Sequence, residues 1–399
     1  MEKRILIIGG GPAGMMAGLL FARAGLPVTV FEKHGDFLRD FRGDTVHPST
    51  MEILDQLGLL TKFLARPHNR IDNAEVSIGG EEFILGDLSY LDTPAPFIAM
   101  MPQWDFLDFL SDEAKTYSNF SLEMTSEVVG VVEEGGRVGG VQLADGRIIM
   151  SQGGLVIAAD GRRSVVRGDP ALPLKQLGAP MDIFWFPLPK SKDQIGGLRG
   201  NINNGQMLVM IDRADYWQCA YLIAKGSEAK VREEGIAAFR DRLRALVPDI
   251  VGLDEALTEL SQLKLLSVSL ERLESWSKLG LLVIGDAAHT MSPIGGVGIN
   301  LAIQDAVAAA NVIAGPMARG EAIDPLLPKV QKRRMFPTRV IQAGQKAAQD
   351  NLITPILSGR DVKPPVVVRL LNRFPMLRRI PGRMIGLGIR RERVESPAD

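Results

Sequence analysis

Ile5-Leu6-Ile7-Ile8-Gly9-Gly10-Gly11-Pro12-Ala13-Gly14 is the stretch on which the fold turns. Four apolar residues stop at three glycines, the pattern of a short buried strand running into a tight turn. Pro12 to Ala24 reads as a helix, with Gly25 as its stop signal. Pro27 to Phe31 is a second apolar, β-branched run that ends at Glu32. Strand, glycine turn, helix and strand make a βαβ unit.

Inside that unit Gly9, Gly11 and Gly14 satisfy G-x-G-x-x-G. Gly9 permits the turn out of the strand. Gly11, without a Cβ, lets a pyrophosphate approach the backbone, and Gly14 lets the helix lie close to the sheet. The helix start at Pro12 and Ala13 offers unpaired N–H groups and a positive dipole end to phosphates. Glu32 lies 18 residues past Gly14, where an acid hydrogen-bonds ribose hydroxyls, with Lys33 beside it as a further cofactor contact. The fingerprint points to a dinucleotide without separating FAD from NAD.

Outward from this unit, Ser49 to Leu60 reads as a helix, with Ser49 as N-cap and Glu52 completing a capping box. Residues 71–97 carry short alternating runs, and Pro102 to Ala114 is helical. Val128 to Ile149 has the pattern of a hairpin. Leu155 to Ala159 and Leu281 to Ile284 are buried-strand runs, ending at Asp160-Gly161 and Gly285-Asp286. Residues 180–225 hold further strand-like runs. Gly235 to Leu246 is an amphipathic helix, and Gly298 to Ala314 a long helix of mostly small residues.

The totals narrow the function. With 399 residues, 46% hydrophobic and 23% charged, the chain is long enough for two or three packed units of an ordinary globular protein. A net charge of −1 gives no nucleic-acid footprint. The single cysteine, Cys219, excludes an internal disulfide and any cysteine-built metal cluster, and no two of the four histidines have ligand spacing. No uncharged apolar run is long enough to suggest a membrane span, and the expected location is cytoplasmic. Monomer and homodimer both remain open.

Asp160-Gly161-Arg162-Arg163 in mid-chain, and Gly285-Asp286-Ala287-Ala288-His289 leading into Pro293-Ile294-Gly295-Gly296-Val297-Gly298-Ile299-Asn300, complete a set of three motifs. In this order they resemble the class A flavoprotein monooxygenases, typified by para-hydroxybenzoate hydroxylase, over roughly residues 1–340. The resemblance implies an α/β fold: a Rossmann-type FAD-binding domain, an inserted β-sheet substrate domain and C-terminal helices. It places the FAD-binding domain at 1–70, 98–178 and 266–345, the substrate domain at 71–97 and 179–265, and a helical basic segment at 346–399.

The same resemblance implies FAD as cofactor and NAD(P)H as transient reductant. The reaction would be hydroxylation of an aromatic or phenolic substrate with O₂, through a flavin C4a-hydroperoxide. Asp286 would accept a hydrogen bond from the ribityl chain. Pro293, Gly296, Gly298, Ile299 and Asn300 would run along the isoalloxazine ring, and the helix start near Gly298 would face its N1–C2=O edge. Asp160 would act indirectly or hold the end of its strand. Arg42 would reach the pyrophosphate, with a solvated surface arginine as the alternative. Gln103, where many relatives carry arginine, would contact the adenosine or ribityl chain. Only one dinucleotide fingerprint is present, and there is no Cys-x-x-x-x-Cys. Both facts fit a reductant that binds and leaves.

His47 is the candidate catalytic residue, able in principle to deprotonate a phenol; a packed or capping histidine before Pro48 is the preferred reading. His289 is expected to be a structural hydrogen-bonder. Trp185, Phe186, Met207, Met210 and Trp217 could line an apolar pocket, although strand alternation turns about half of them elsewhere. The rival functions are a reductase of the same superfamily without oxygen transfer, and a non-enzymatic flavin-binding protein. Trp185-Phe186-Pro187 is not the W-x-W-x-I-P motif of tryptophan halogenases.

From Arg360 to Val394 the composition changes to ten Lys or Arg against two Asp or Glu, among Leu, Ile, Met and Phe. Such a segment can lie on an anionic membrane, which would suit a lipophilic substrate. The preferred alternative is a helix pair packed on the flavin domain with its charges in water.

Overall fold

The computed structural model describes residues 3–38, 45–191, 194, 197–213, 215–359 and 364–399. Ile5–Ile8 is a strand buried on both faces, no residue more than 3% exposed, as a central strand of a covered parallel sheet must be. It belongs to a six-stranded sheet in the order Ser277–Lys278, Leu281–Val283, Leu155–Ala158, Ile5–Ile8, Val28–Phe31, Phe120–Glu123. Every pair is parallel except the antiparallel edge at Ser277–Lys278. Ile5 lies opposite Leu155 on one side and Val28 on the other.

One face is covered by the helices Pro12–Arg23, Gln103–Ala114 and Gly298–Ala318. Gly298–Ala318 packs against Pro12–Arg23, and its alanines, among them Ala302, Ala306 and Ala309, leave room for close approach. By composition Ile294–Ala318 is long and apolar enough to cross a membrane, yet 78% of its apolar window is buried inside the molecule. The other face carries the hairpin Val128–Glu134 and Arg137–Leu143, with Val138, Val141 and Trp276 in the core beneath it.

A second sheet has seven strands, in the order Lys264–Ser267, Met181–Pro189, Tyr216–Ala224, Gln206–Asp212, Leu198–Asn203, Asn73–Ile78, Glu81–Asp87. Its one parallel pair joins Leu198–Asn203 to Asn73–Ile78, so segments far apart in sequence share one sheet. Strand alternation gives it two distinct faces. Phe184, Phe186, Met210 and Trp217 pack outward, with Phe239 of the helix Gly235–Leu246 meeting the two phenylalanine rings edge-on. Ile183, Ala220 and Leu222 point the other way, with Trp185, Met207 and Ile294 packed around them. The five pocket candidates therefore divide: Trp185 and Met207 face the loop after Gly285, whereas Phe186, Met210 and Trp217 do not.

Two local expectations change. The helix expected from Ser49 to Leu60 is two, Pro48–Gln56 and Leu60–Leu64, separated at Gly58, whose φ is +70°. Its N-cap is His47 and not Ser49, because the fixed φ of Pro48 suits the first helical position. Glu52 consequently forms no capping box and pairs with Arg391 at 2.8 Å. In the tail, the helices Val366–Arg373 and Arg379–Gly386 pack against the strand Glu81–Asp87, on the second sheet and not on the parallel one.

Candidate functional site

The three glycine and aspartate motifs leave the carboxyl ends of three neighbouring parallel strands: Gly9 follows Ile8, Asp160 follows the strand ending at Ala158, and Gly285 follows the strand ending at Val283. Ligands of open α/β sheets bind outside that edge. The turns are tightly matched. A Cβ on Gly9, whose φ is +99°, would lie 2.7 Å from the Ala159 carbonyl oxygen and from the Asp160 Cα. One on Gly14 would lie 1.9 Å from the Gly9 carbonyl oxygen, and one on Gly285 2.9 Å from the Ala13 Cβ. Gly11 differs, since a Cβ there would meet nothing within 4 Å. The helix Pro12–Arg23 starts with no side chain capping it. The fingerprint thus presents open space at its middle glycine, beside a helix start with no side-chain cap among the described residues, and close packing at the two flanking ones.

The Glu32 carboxylate, 9% exposed, accepts the Gly10 N–H at 3.0 Å and the His34 N–H at 3.1 Å. It thereby fastens the glycine turn to the end of its strand. Lys33 is exposed beside it, and Gln103 is half-buried at the first turn of Gln103–Ala114. Arg42 lies outside the described residues.

Asp160 accepts the Val165 N–H at 2.8 Å through Oδ2, while its buried Oδ1 has no partner among the described residues. Burial raises its carboxyl above the ordinary range, against hydrogen bonds from Ser164 and Val165. The Asp286 carbonyl accepts from Arg167 at 2.9 Å, and its half-buried carboxylate makes no hydrogen bond among the described residues.

Beneath Gly285 lies a buried polar group. Asp305, fully buried, accepts the Gly285 N–H at 3.1 Å, meets His289 Nε2 at 2.6 Å and accepts from Arg334 Nε at 2.9 Å. Burial alone would raise the Asp305 carboxyl, but His289 and Arg334 hold it below the ordinary value. His289, 1% exposed, therefore braces the turn from inside, with its ring 5.0 Å from that of Trp276.

The loop Pro293 to Gly298 is clamped from two sides. Asn300 Oδ1 accepts the His47 N–H at 2.9 Å and the Thr50 hydroxyl at 2.7 Å, and the Thr45 hydroxyl donates to the Gly296 carbonyl at 2.8 Å. A Cβ on Gly296 would lie 2.5 Å from the Thr45 hydroxyl oxygen. From the helix Leu327–Ala348, Gln345 accepts the Ser292 N–H and donates to the carbonyls of Ser292 and Ile294, all within 3.0 Å. His47 is fully buried with Nδ1 2.7 Å from the Ile385 carbonyl, and burial lowers its pKa to about 4. One turn beyond Gln345, just past the end of that helix, Gln349 is 1% exposed with neither amide atom partnered among the described residues. The indole N–H of Trp185 and the Nε2 of Gln218 are also buried without a partner among the described residues.

Thr45, Thr50, Asp305, Arg334, Gln345 and Gln349 were not singled out by sequence. Thr45 lies in the short strand Thr45–Val46, Thr50, Asp305, Arg334 and Gln345 on helices and Gln349 in the π-turn Gln349–Ile353, and no local pattern at these positions names the partner.

The fingerprint's open middle glycine, its uncapped helix, and the Asp160 Oδ1 and Asp286 carboxylate at the same sheet edge, which have no hydrogen-bond partner among the described residues, fit FAD. A family profile described as "FAD binding domain" matches residues 2–343. The 6-methylpretetramide 4-monooxygenase of Streptomyces rimosus is 33% identical over 338 residues, 83% of this chain and 79% of that protein. The para-nitrophenol 4-monooxygenase of a Pseudomonas species is 24% identical over 346 residues, 83% of each chain. Several other relatives are longer, and the chain spans 60% to 65% of their length. The crystal structure of p-nitrophenol 4-monooxygenase from Pseudomonas putida DLL-E4 superposes with a TM-score of 0.78 at 19% identity, covering 98% of this chain and 100% of that one. The chain belongs to the class A FAD-dependent aromatic monooxygenases.

Proposed function

We propose that this enzyme uses NAD(P)H and O₂ to hydroxylate an aromatic or phenolic substrate, with FAD held across the carboxyl edge of the parallel sheet. The observation that carries the reading is the convergence of Gly9, Asp160 and Gly285 on that one edge. Gly9, Gly11, Pro12, Ala13 and Gly14 would take the pyrophosphate, and Glu32 and Lys33 the adenosine ribose. Arg42 and Gln103 would complete the nucleotide side. Asp286 would hold the ribityl chain, and Pro293, Gly296, Gly298, Ile299 and Asn300 would border the flavin ring, with Asp160 supporting the turn.

Reduced FAD supplies the oxygen-transfer chemistry when bound. The chain's own residues position and exclude water. Asn300 fixes the Gly296 loop against Thr45 and His47. Trp185 and Met207, beside Ile294, offer an apolar wall for a flat ring. His47 we assign a positioning role: a neutral imidazole on a backbone carbonyl, with its pKa lowered to about 4, is a poor base for a phenol. Residues 1–70, 98–178 and 266–345 would then form the FAD unit, with 71–97 and 179–265 as the substrate unit.

The test is purification with FAD, reduction by NAD(P)H, and reaction with isotope-labelled O₂ over a panel of mono- and polycyclic phenols. One labelled oxygen atom in a product is the expected result. NAD(P)H consumption under nitrogen with a hydrogenated product, and no oxygen incorporation in air, would move the enzyme to the reductases.

A further inference from the structure

Sixteen large hydrophobic residues are exposed among the described residues, and eight of them fall within the 19 residues from Val366 to Met384. The most exposed are Val366 at 73%, Met376 at 70%, Val367 at 64%, Ile380 at 63% and Phe374 at 53%. A monomer rarely keeps so dense an apolar patch in water. The same stretch carries five arginines and no acid.

The seating of the two helices explains why these side chains point out. Arg379–Gly386 rests on the segment after Glu81 through Gly382 and Gly386, one turn apart. A Cβ on Gly382 would lie 2.1 Å from the Asp87 carbonyl oxygen, and one on Gly386 2.6 Å from Leu91 Cδ1. With glycine as the contact, the helix lies flat and turns Ile380 and Met384 away. Val366–Arg373 packs inward through Val368, beside Phe83 and Val76. Its outward rows are Val367, Leu370 and Phe374, and next to them Arg369 and Arg373.

Arg378 is committed to the carbonyls of Leu371 and Asn372, tying the two helices together, and Arg379 lies over the Tyr90 ring. Arg369, Arg373 and Arg383 are exposed and form no ion pair among the described residues. The partner must therefore offer a dense negative surface with an apolar layer just below it, and an anionic bilayer has both.

We propose that the face built from 366–384 docks on anionic lipid, its apolar tips at the acyl boundary and Arg369, Arg373 and Arg383 at the headgroup phosphates. This does not depend on the reaction the enzyme catalyses.

The experiment is flotation of the full-length, FAD-loaded protein with vesicles of phosphatidylcholine, alone or mixed with phosphatidylglycerol. The protein should float with the mixed vesicles, less so at high salt, and stay behind with phosphatidylcholine alone. Arg369→Glu with Arg373→Glu and Arg383→Glu should lower partitioning by at least about a hundredfold, the loss of three attracted charges alone giving that much. Phe374→Ser with Met376→Ser should also release the protein, with flavin spectrum and melting temperature unchanged, since these side chains lie outside the core. No flotation on anionic vesicles, or undiminished flotation of the charge-reversed variant, overturns the proposal. So does a dimer in sedimentation velocity that Phe374→Ser with Met376→Ser dissociates, because the face would then belong to a second copy.

Discussion

Gly11 and Gly14 lie three residues apart and would fail differently if given a side chain. At Gly14 a methyl group meets the Gly9 carbonyl oxygen at 1.9 Å, a backbone atom that cannot swing aside, so Gly14→Ala should cost about 3 kcal/mol or more and yield little folded protein. Gly11 has extended φ/ψ and open space around its Cβ position. Gly11→Ala should leave the apoprotein as stable as the parent to within about 0.5 kcal/mol, and should weaken FAD at least about tenfold. Urea unfolding of the apoprotein and a flavin fluorescence titration read the two effects separately. Unchanged FAD affinity in Gly11→Ala would remove the pyrophosphate from that turn. His47 carries a different prediction, in pH. Its folded pKa, about 4, lies below the ordinary 6.5, so the unfolded chain binds the proton more readily. The neutral ring's stability is fully present above pH 6.5 and is lost as pH falls towards 4, to an upper limit of about 3 kcal/mol. His47→Gln should therefore lose less stability than the parent between pH 7 and pH 4 in matched urea melts; equal losses would mean that His47 titrates normally.

Among the elements, the helix Leu327–Ala348 has the most to do with the site, although it carries no motif. Its inner face presents Arg334 to Asp305, Gln342 to the Thr290 carbonyl and Gln345 to Ser292 and Ile294. One turn further, where the helix widens into the π-turn Gln349–Ile353, Gln349 continues the face with no partner for its amide among the described residues. π-turns are frequent at functional sites, and a buried, unmet amide is costly. Gln349→Leu should therefore raise the melting temperature of the substrate-free enzyme by a few degrees, about 1–2 kcal/mol, and lower the hydroxylation rate. A lower melting temperature would show that the amide already has a partner, water included. This helix also marks the limit of what could be read from the sequence. Ile5–Ile8, Leu155–Ala158 and Leu281–Val283 were legible because strands buried on both faces are uniformly apolar, and the motifs at their ends follow directly. The Arg334, Gln342 and Gln345 contacts reach 29 to 53 residues back along the chain, and only the packed fold brings them together. Ser49 misled for a local reason, because Pro48 starts the helix and moves its cap two residues back, to His47.

At the scale of the whole molecule, the basic tail is two structures. Residues 366–384 face outward, while 387–399 is built into the body. Glu392 pairs with Arg333 at 2.7 Å, Asn311 holds Arg393 and Glu395, Gln56 accepts the Val394 N–H, and the Asp399 N–H donates to the Arg23 carbonyl. The last nine residues thus join four helices to each other, Pro12–Arg23, Pro48–Gln56, Gly298–Ala318 and Leu327–Ala348, a role that a reading by composition alone does not suggest. A chain ending at Arg390 loses all of these bonds and leaves Glu52, 8% exposed, without Arg391. Hydrogen bonds contribute about 1 kcal/mol each, but a buried carboxylate deprived of its cation costs more than the pair contributed. Truncation should therefore lower the melting temperature by many degrees and reduce FAD retention, and the loss should not be spread evenly over the missing contacts. Introducing Glu52→Gln into the truncated chain should restore part of the stability, whereas the same substitution in the full chain should destabilise it by breaking the pair with Arg391. Opposite signs in the two backgrounds, read by thermal melts of all four proteins, would assign that share to the stranded charge. Equal effects would mean that the tail holds the molecule through its backbone bonds alone.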